Sequence, residues 1–321
     1  MSDILKVEHL TKHFVKKGMF SSKSSIVRAV DDVSFSVSEG EVFVLAGESG
    51  SGKSTIARLI MKAIEANSGK IIYDNEEIGN DSKSLTKIRM SCQMVHQDPY
   101  DSINPRMRVF DIVSEPLEIH KMGNNEERQK RVLDALREVR LEPAEEIAKK
   151  FPHALSGGQR QRIVLARALV LKPKVIIADE PVSMLDVSIR AEVLELMAEL
   201  QKKYNISFIY ITHDLATARH FGNRIAVLYL GKIVEMGPID DVLLHPKHPY
   251  TQALIDALSE PNPDNLHKQK VIRINEPLEI DVYDGCRFRA RCPYAIEQCK
   301  DEPPLETIGK QRDVACFVKL D

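Results

Sequence analysis

No stretch of this 321-residue chain approaches the ~20 consecutive apolar residues of a membrane-spanning helix, and its longest apolar runs are of strand length. A surplus of one charge is missing too. Lys and Arg number 45 against 47 Asp and Glu, a formal net charge of -2, which leaves no basic excess for nucleic-acid phosphates. The start, Met1-Ser2-Asp3-Ile4-Leu5-Lys6, lacks the apolar core of a signal peptide. These absences predict a soluble, intracellular protein that binds no nucleic acid and reaches a membrane only by docking on a partner. Cysteine is sparse, but four of the five fall between Cys286 and Cys316. An apolar content of 43% allows a substantial core, and the length allows either one large domain with an appendage or two domains.

The most informative stretch present is Gly47-Glu48-Ser49-Gly50-Ser51-Gly52-Lys53-Ser54-Thr55. It follows the apolar run Val42–Ala46 and leads into Ile56–Met61, which reads as a helix. That is the strand, GxxxxGK[ST], helix arrangement of a P-loop. Its glycines carry no Cβ to block the approach of phosphate oxygens, and the amides that open the helix face the anion. Lys53 is placed to reach the β- and γ-phosphates, and the Ser54 hydroxyl to ligate Mg²⁺. The chain is therefore expected to bind a nucleoside triphosphate.

Upstream, Ile4–Leu10 and Ala29–Val37 have strand character, the second alternating as a half-buried antiparallel strand would. Lys16–Ser25, rich in Lys and Ser, reads as an exposed loop. Phe14 stands where a ring could stack on a purine. Downstream, Gly69–Tyr73 begins a strand and Ser91–Pro99 ends one, with Cys92 as a small buried residue. From about Asn104 to Leu155 only helical patterns occur, as in Glu127–Leu136, which predicts a helical insertion in an α/β core.

Two further groups bear on phosphate chemistry. Ser156 and Gln159 in Leu155-Ser156-Gly157-Gly158-Gln159 stand at capping-box spacing, and the glycines beside them offer a second phosphate-binding helix start. One nucleotide does not need two such surfaces from one subunit, which points to a shared site. Lys174–Asp179 is an apolar run ending in Asp179-Glu180, as a buried parallel strand reads, and ligands bind at the carboxyl ends of such strands. Asp179 is placed to hold Mg²⁺ and Glu180 to orient or deprotonate water. A second such strand, Ile206–Thr212, ends in His213, placed to contact the γ-phosphate.

The P-loop, Gln97, Leu155–Gln159, Asp179-Glu180, Ser183-Met184-Leu185-Asp186 and His213 occur in the order and spacing of ABC-transporter ATP-binding subunits. The resemblance covers roughly residues 4 to 260. It implies a P-loop NTPase of α/β class, with a RecA-like core, an antiparallel β-subdomain, a helical signature subdomain at about 100–170, and a small C-terminal extension over 261–321. It implies that Phe14 stacks on adenine (Phe20 being the less favoured candidate), that Gln97 joins Ser54 and Asp179 at Mg²⁺, and that Glu180, His213 and Gln97 serve hydrolysis. Ser156–Gln159 and Asp186 then act on an ATP shared head to tail with a second ATPase subunit, in a heterodimer or, alternatively, a homodimer. Departures are small: His96 replaces the usual aromatic before Gln97, and Met184 replaces a small residue.

A narrower resemblance is to the oligopeptide/dipeptide importer ATPases. It rests on His96–Met107, on Phe151-Pro152-His153-Ala154-Leu155 and on His245–Leu254 with its His248-Pro249-Tyr250. It implies two permease subunits, an extracellular substrate-binding protein, and a place at the cytoplasmic face of the membrane. Nickel and oligosaccharides are the alternative cargoes. A soluble ABC ATPase of translation or DNA repair is the alternative function, disfavoured by the single set of motifs and the absence of a coiled coil between them.

The cysteines run C-x₅-C-x₆-C-x₁₆-C from Cys286 through Cys292 and Cys299 to Cys316. A reducing cytosol argues against disulfides, and structural zinc sites use tighter knuckles. Spacing alone leaves zinc and iron–sulfur both open. The importer resemblance favours a [4Fe-4S] cluster, with Arg287, Arg289 and Arg291 near its charge, expected to sit remote from the phosphates.

Overall fold

A computed structural model describes residues 2–17, 24–257, 274, 283–309, 311–318 and 320. Among them the strands form two sheets. The smaller comprises β1 (Asp3–Lys17), β2 (Ser24–Ser38), β4 (Ser68–Tyr73) and β5 (Glu76–Glu77), antiparallel in the order β2-β1-β4-β5. The larger comprises β3 (Val42–Ala46), β6 (Cys92–Val95), β7 (Val175–Asp179), β8 (Ser207–Thr212), β9 (Arg224–Tyr229), β10 (Lys232–Pro238), β11 (Glu306–Thr307) and β12 (Asp313–Val314). Its order is β11-β12-β10-β9-β3-β8-β7-β6, parallel from β9 to β6 and antiparallel beyond β9.

The apolar runs of the central strands follow from burial on both faces. β3 sends Val42, Val44 and Ala46 into one core and Phe43 and Leu45 into the other. β7 does the same with Ile176 and Ala178 against Val175 and Ile177. A parallel sheet covered on both sides has no solvent face on which to place polar residues. The P-loop, Gln97, Glu180 and His213 follow β3, β6, β7 and β8, so all four lie at the carboxyl ends of parallel neighbours.

The helical region expected at about 100–170 is present, with no strand among the described residues between β6 and β7. Its main helices are Val109–Ile119, Asn125–Glu138 and Gly157–Leu169. The second is capped by Asn124, whose side chain accepts from the Glu127 amide at 3.0 Å, and it buries Val132, Ala135 and Leu136. Cys92 is fully buried, as expected.

Two expectations change. The loop predicted over Lys16–Ser25 is shorter, because Lys16↔Ser25 and Lys17↔Ser24 still pair across the hairpin. A backbone ladder can outrun the apolar part of its strands, since its hydrogen bonds are main-chain. Phe20 and the expected boundary at 260–261 lie outside the described residues. The C-terminal extension is not a mere appendage, since β12 pairs with β10 through Glu235↔Val314 and Met236↔Asp313. At that junction Glu235, fully buried, accepts from the Lys247 and His248 amides, both at 2.9 Å, and from Arg312 Nε at 3.2 Å.

Candidate active site

The P-loop is shaped by close backbone approaches. Gly47 has φ 146°, and a Cβ there would stand 2.2 Å from the Leu228 carbonyl oxygen. Gly52 has φ 109°, and a Cβ would stand 2.1 Å from the Ala29 carbonyl oxygen. Only glycine fits both the conformation and the space. Glu48, Ser49 and Gly50 are exposed at the turn, Ser51 is buried, and Lys53 opens the helix Lys53–Ile60, in which Ser54 is exposed and Thr55 half-buried. The buried Lys53 ammonium donates to the Gly47 carbonyl at 2.7 Å, the Glu48 carbonyl at 2.9 Å and Ser51 Oγ at 3.3 Å. Burial lowers its pKa, an effect partly offset by Glu180, Asp179 and Glu48.

Beside it, Ser54 Oγ donates to Asp179 Oδ1 at 3.2 Å. Burial raises the Asp179 carboxyl, the Ser54 hydrogen bond opposes this, and Glu180 adds to the rise. A hydroxyl and a carboxylate so paired are hard oxygen donors of the kind Mg²⁺ takes together with substrate phosphates. Glu180 is held from two sides, by Gln97 Nε2 donating to Oε2 at 3.1 Å and by His213 Nδ1 at 3.0 Å from Oε1. Its backbone is left-handed, φ 47°, with its amide bound to the Ile211 carbonyl at 2.9 Å. A non-glycine residue there is strained by about 1–3 kcal/mol, an outlier typical of functional positions.

The signature forms the expected capping box. The Ser156 amide donates to Gln159 Oε1 at 3.0 Å and the Gln159 amide to Ser156 Oγ at 3.3 Å. A Cβ on Gly158 would stand 2.6 Å from Ile189 Cγ2, and one on Gly157 would meet Leu185 at 3.7 Å, so this helix start packs on the stretch around Asp186. Asp186 is exposed and precedes the helix Val187–Tyr204. Phe14 is 43% exposed and pairs across the hairpin with Val27, two residues from the Ala29 carbonyl that touches the P-loop.

Tyr250 and the extension's Arg291 both reach the P-loop. The Glu48 amide donates to the Tyr250 hydroxyl at 2.9 Å, and the Glu48 carboxylate pairs with Arg291 at 3.2 Å. Arg287 pairs with Asp31 on β2 and donates to the Leu230 carbonyl, while Arg28 lies over the Tyr283 ring. Sequence reasoning assigned these arginines to the cysteines alone and left Tyr250 without a role. The His-Pro-Tyr stretch was the available signal, but nothing local shows that it meets the P-loop.

The four thiols line one small space together with His248, Pro249 and Phe288. Burial pushes Cys286 and Cys292 up to about 11, raises Cys316, and pushes His248 down to about 3. Among the described residues no group of three or more His, Cys, Asp or Glu is arranged to hold a metal ion. Nor is any described helix long and apolar enough to cross a membrane.

A family model for the ABC transporter matches residues 30–183, and one for the oligopeptide/dipeptide transporter C-terminal region matches residues 234–299. A probable peptide ABC transporter ATP-binding protein, y4tS of Sinorhizobium fredii, is 46% identical, over 99% of this chain and 91% of the relative. The di/tripeptide transport ATP-binding protein DppF of Pseudomonas aeruginosa is 42% identical, over 98% of both chains. Among solved structures, the dimeric post-hydrolysis state of the ATP-binding cassette MJ0796, bound to ADP and Pi, is similar with a TM-score of 0.63 and 32% identity, over 73% of this chain and 98% of that one. The chain belongs to the ATP-binding subunits of ABC transporters, in the oligopeptide/dipeptide transporter family, and is an ATPase.

Proposed function

We propose that this subunit hydrolyses ATP to energise peptide import, with Glu180 as the base that activates water. The Glu180 carboxylate, fixed by Gln97 and His213 next to the Ser54–Asp179 pair, is the observation that carries the reading. A carboxylate held in place at the strand end can take the proton of an attacking water, which typically contributes about 10²–10⁴-fold. Lys53 and the P-loop amides of Gly47 to Thr55 hold the β- and γ-phosphates, Phe14 stacks on the base, and Ser54, Asp179 and Gln97 hold Mg²⁺, which neutralises phosphate charge when bound. Ser156, Gly157, Gly158, Gln159 and Asp186 serve the ATP of a second ATPase subunit. The division into residues 1–260 for ATP and 261–321 for the extension belongs to the same reading.

The partners in this reading are that second ATPase, two permease subunits and, through them, an extracellular binding protein. The chain works at the cytoplasmic face of the membrane without entering it. Near-full-length similarity to proteins named for peptide transport supports peptides as the cargo. The importer resemblance, and not the geometry, carries a [4Fe-4S] cluster on Cys286, Cys292, Cys299 and Cys316: the four share one space, but burial there favours the protonated thiols over the four thiolates such a group takes. One purification tests both parts. Anaerobically isolated complex should contain the permeases and about four irons per chain. Co-purification with ribosomes or DNA instead of permeases would overturn the import reading, and stoichiometric zinc without iron would overturn the cluster.

A further inference from the structure

Glu48 of the P-loop is gripped twice by side chains from the C-terminal part of the chain. Its amide donates to the Tyr250 hydroxyl at 2.9 Å, and its carboxylate meets Arg291 Nη1 at 3.2 Å and Nη2 at 3.3 Å. The carbonyl of the same residue accepts from Lys53 Nζ at 2.9 Å, so what holds Glu48 also sets the lysine that reaches the phosphates.

Both grips are rooted in the wall of the four-thiol space. Tyr250 follows His248 and Pro249, which line it, and Arg291 immediately precedes Cys292. Phe288, between Cys286 and Cys292, closes the connection. Its ring lies 5.5 Å from that of Tyr250 and 5.3 Å from that of Tyr229, and the Arg291 guanidinium lies 5.8 Å from it. Tyr250 and Phe288 are each only 1% exposed. Rings packed to interior density pass on a displacement instead of absorbing it. A shift of the Cys292 backbone therefore moves Arg291, and with it Glu48.

We propose that Tyr250 and Arg291 are positioning residues of the phosphate loop, and that through them the four-thiol space and the nucleotide pocket are energetically linked. The linkage concerns these residues whichever metal group the thiols hold. It is reciprocal: if the state of the thiols alters nucleotide affinity, bound nucleotide alters the thiols by the same factor.

The full chain, with its metal content measured alongside, supplies the test. Binding of a fluorescent ATP analogue with Mg²⁺ is compared for wild type, Tyr250→Phe, which removes only the hydroxyl, Arg291→Ala and Arg291→Lys. Tyr250→Phe and Arg291→Ala should each weaken binding about fivefold or more, the low end of coupling between sites. Their KM for ATP should rise by a larger factor than their kcat falls, the pattern of lost nucleotide binding. Arg291→Lys, which keeps the charge but not the fork, should recover part of the loss. In wild type, Mg²⁺-ATP should slow alkylation of Cys286, Cys292, Cys299 and Cys316 by iodoacetamide, read by mass spectrometry with the buried Cys92 as internal reference. The protection should shrink in Tyr250→Phe. Unchanged nucleotide affinity in both Tyr250→Phe and Arg291→Ala overturns the proposal. So does wild-type thiol labelling indifferent to nucleotide, a result that does not depend on any variant folding. Zinc in place of iron would refute the cluster and leave this linkage standing.

Discussion

His213 Nδ1 lies 3.0 Å from Glu180 Oε1, joining the ends of β8 and β7 across the mouth of the sheet. Gln97, after β6, holds the other carboxylate oxygen at 3.1 Å. Three neighbouring strands thus fix the orientation of one carboxylate. Glu180→Gln should keep ATP affinity and lower turnover by about 10²–10⁴-fold, as loss of a general base does. Lys53→Ala should instead weaken ATP binding. Steady-state hydrolysis and nucleotide binding on the same preparations separate the two, and full turnover in Glu180→Gln would sink the assignment.

The signature's own contacts run to its helix and to the Asp186 stretch, with Ser156 and Gln159 capping each other. In the shared-site reading, a complete site takes its signature from another subunit. The chain alone should be a slow ATPase whose specific activity rises with its concentration, and a partner ATPase should raise it further. A concentration series of phosphate release checks this. Full activity independent of dilution would contradict the shared site.

Asp31 gives a pH dependence. Burial alone would raise its carboxyl, but Arg287, His13 and Lys232 outweigh that and hold it below the ordinary range. A carboxylate with a lowered folded pKa stabilises the fold above the unfolded value of about 3.9, and that contribution is lost as pH falls towards the folded value. Arg287→Met should therefore destabilise the protein near neutrality and flatten the loss of stability on acidification below about pH 4. Denaturant melts across that range provide the measurement. A parallel loss in wild type and variant would exclude this pair as the cause.

The Glu235–Arg312 pair fastens the extension to β10, with the Glu235 side chain fully buried. Removing one partner of a buried pair leaves an uncompensated charge and typically costs about 3–5 kcal/mol. Arg312→Ala should lower unfolding stability on that scale, and so should Glu235→Gln, whose NH2 would face a backbone N–H where the carboxylate accepts from two amides. Chemical denaturation of the two variants measures both losses, and equal stability to wild type would remove this junction from the fold's support.

The sequence by itself determined where the candidate nucleotide-site residues stand relative to their strands. Gly47–Thr55, Asp179-Glu180 and His213 each sit at a strand end, where a short apolar run and a turn specify local geometry over a few residues. The capping box of Ser156 and Gln159 was legible for the same reason, since both partners lie within one helical turn. Only the tertiary structure decided what meets across long separations. Nothing in the spacing of Arg291 or Tyr250 announces that they hold Glu48, because that contact requires Tyr229 on β9, the His-Pro-Tyr helix start and the cysteine segment to converge. The same holds for the hairpin that outruns its apolar residues and for β12 joining β10. Main-chain pairing and packing between distant segments leave little trace in a local pattern, since any sequence with a free N–H and C=O can enter a ladder.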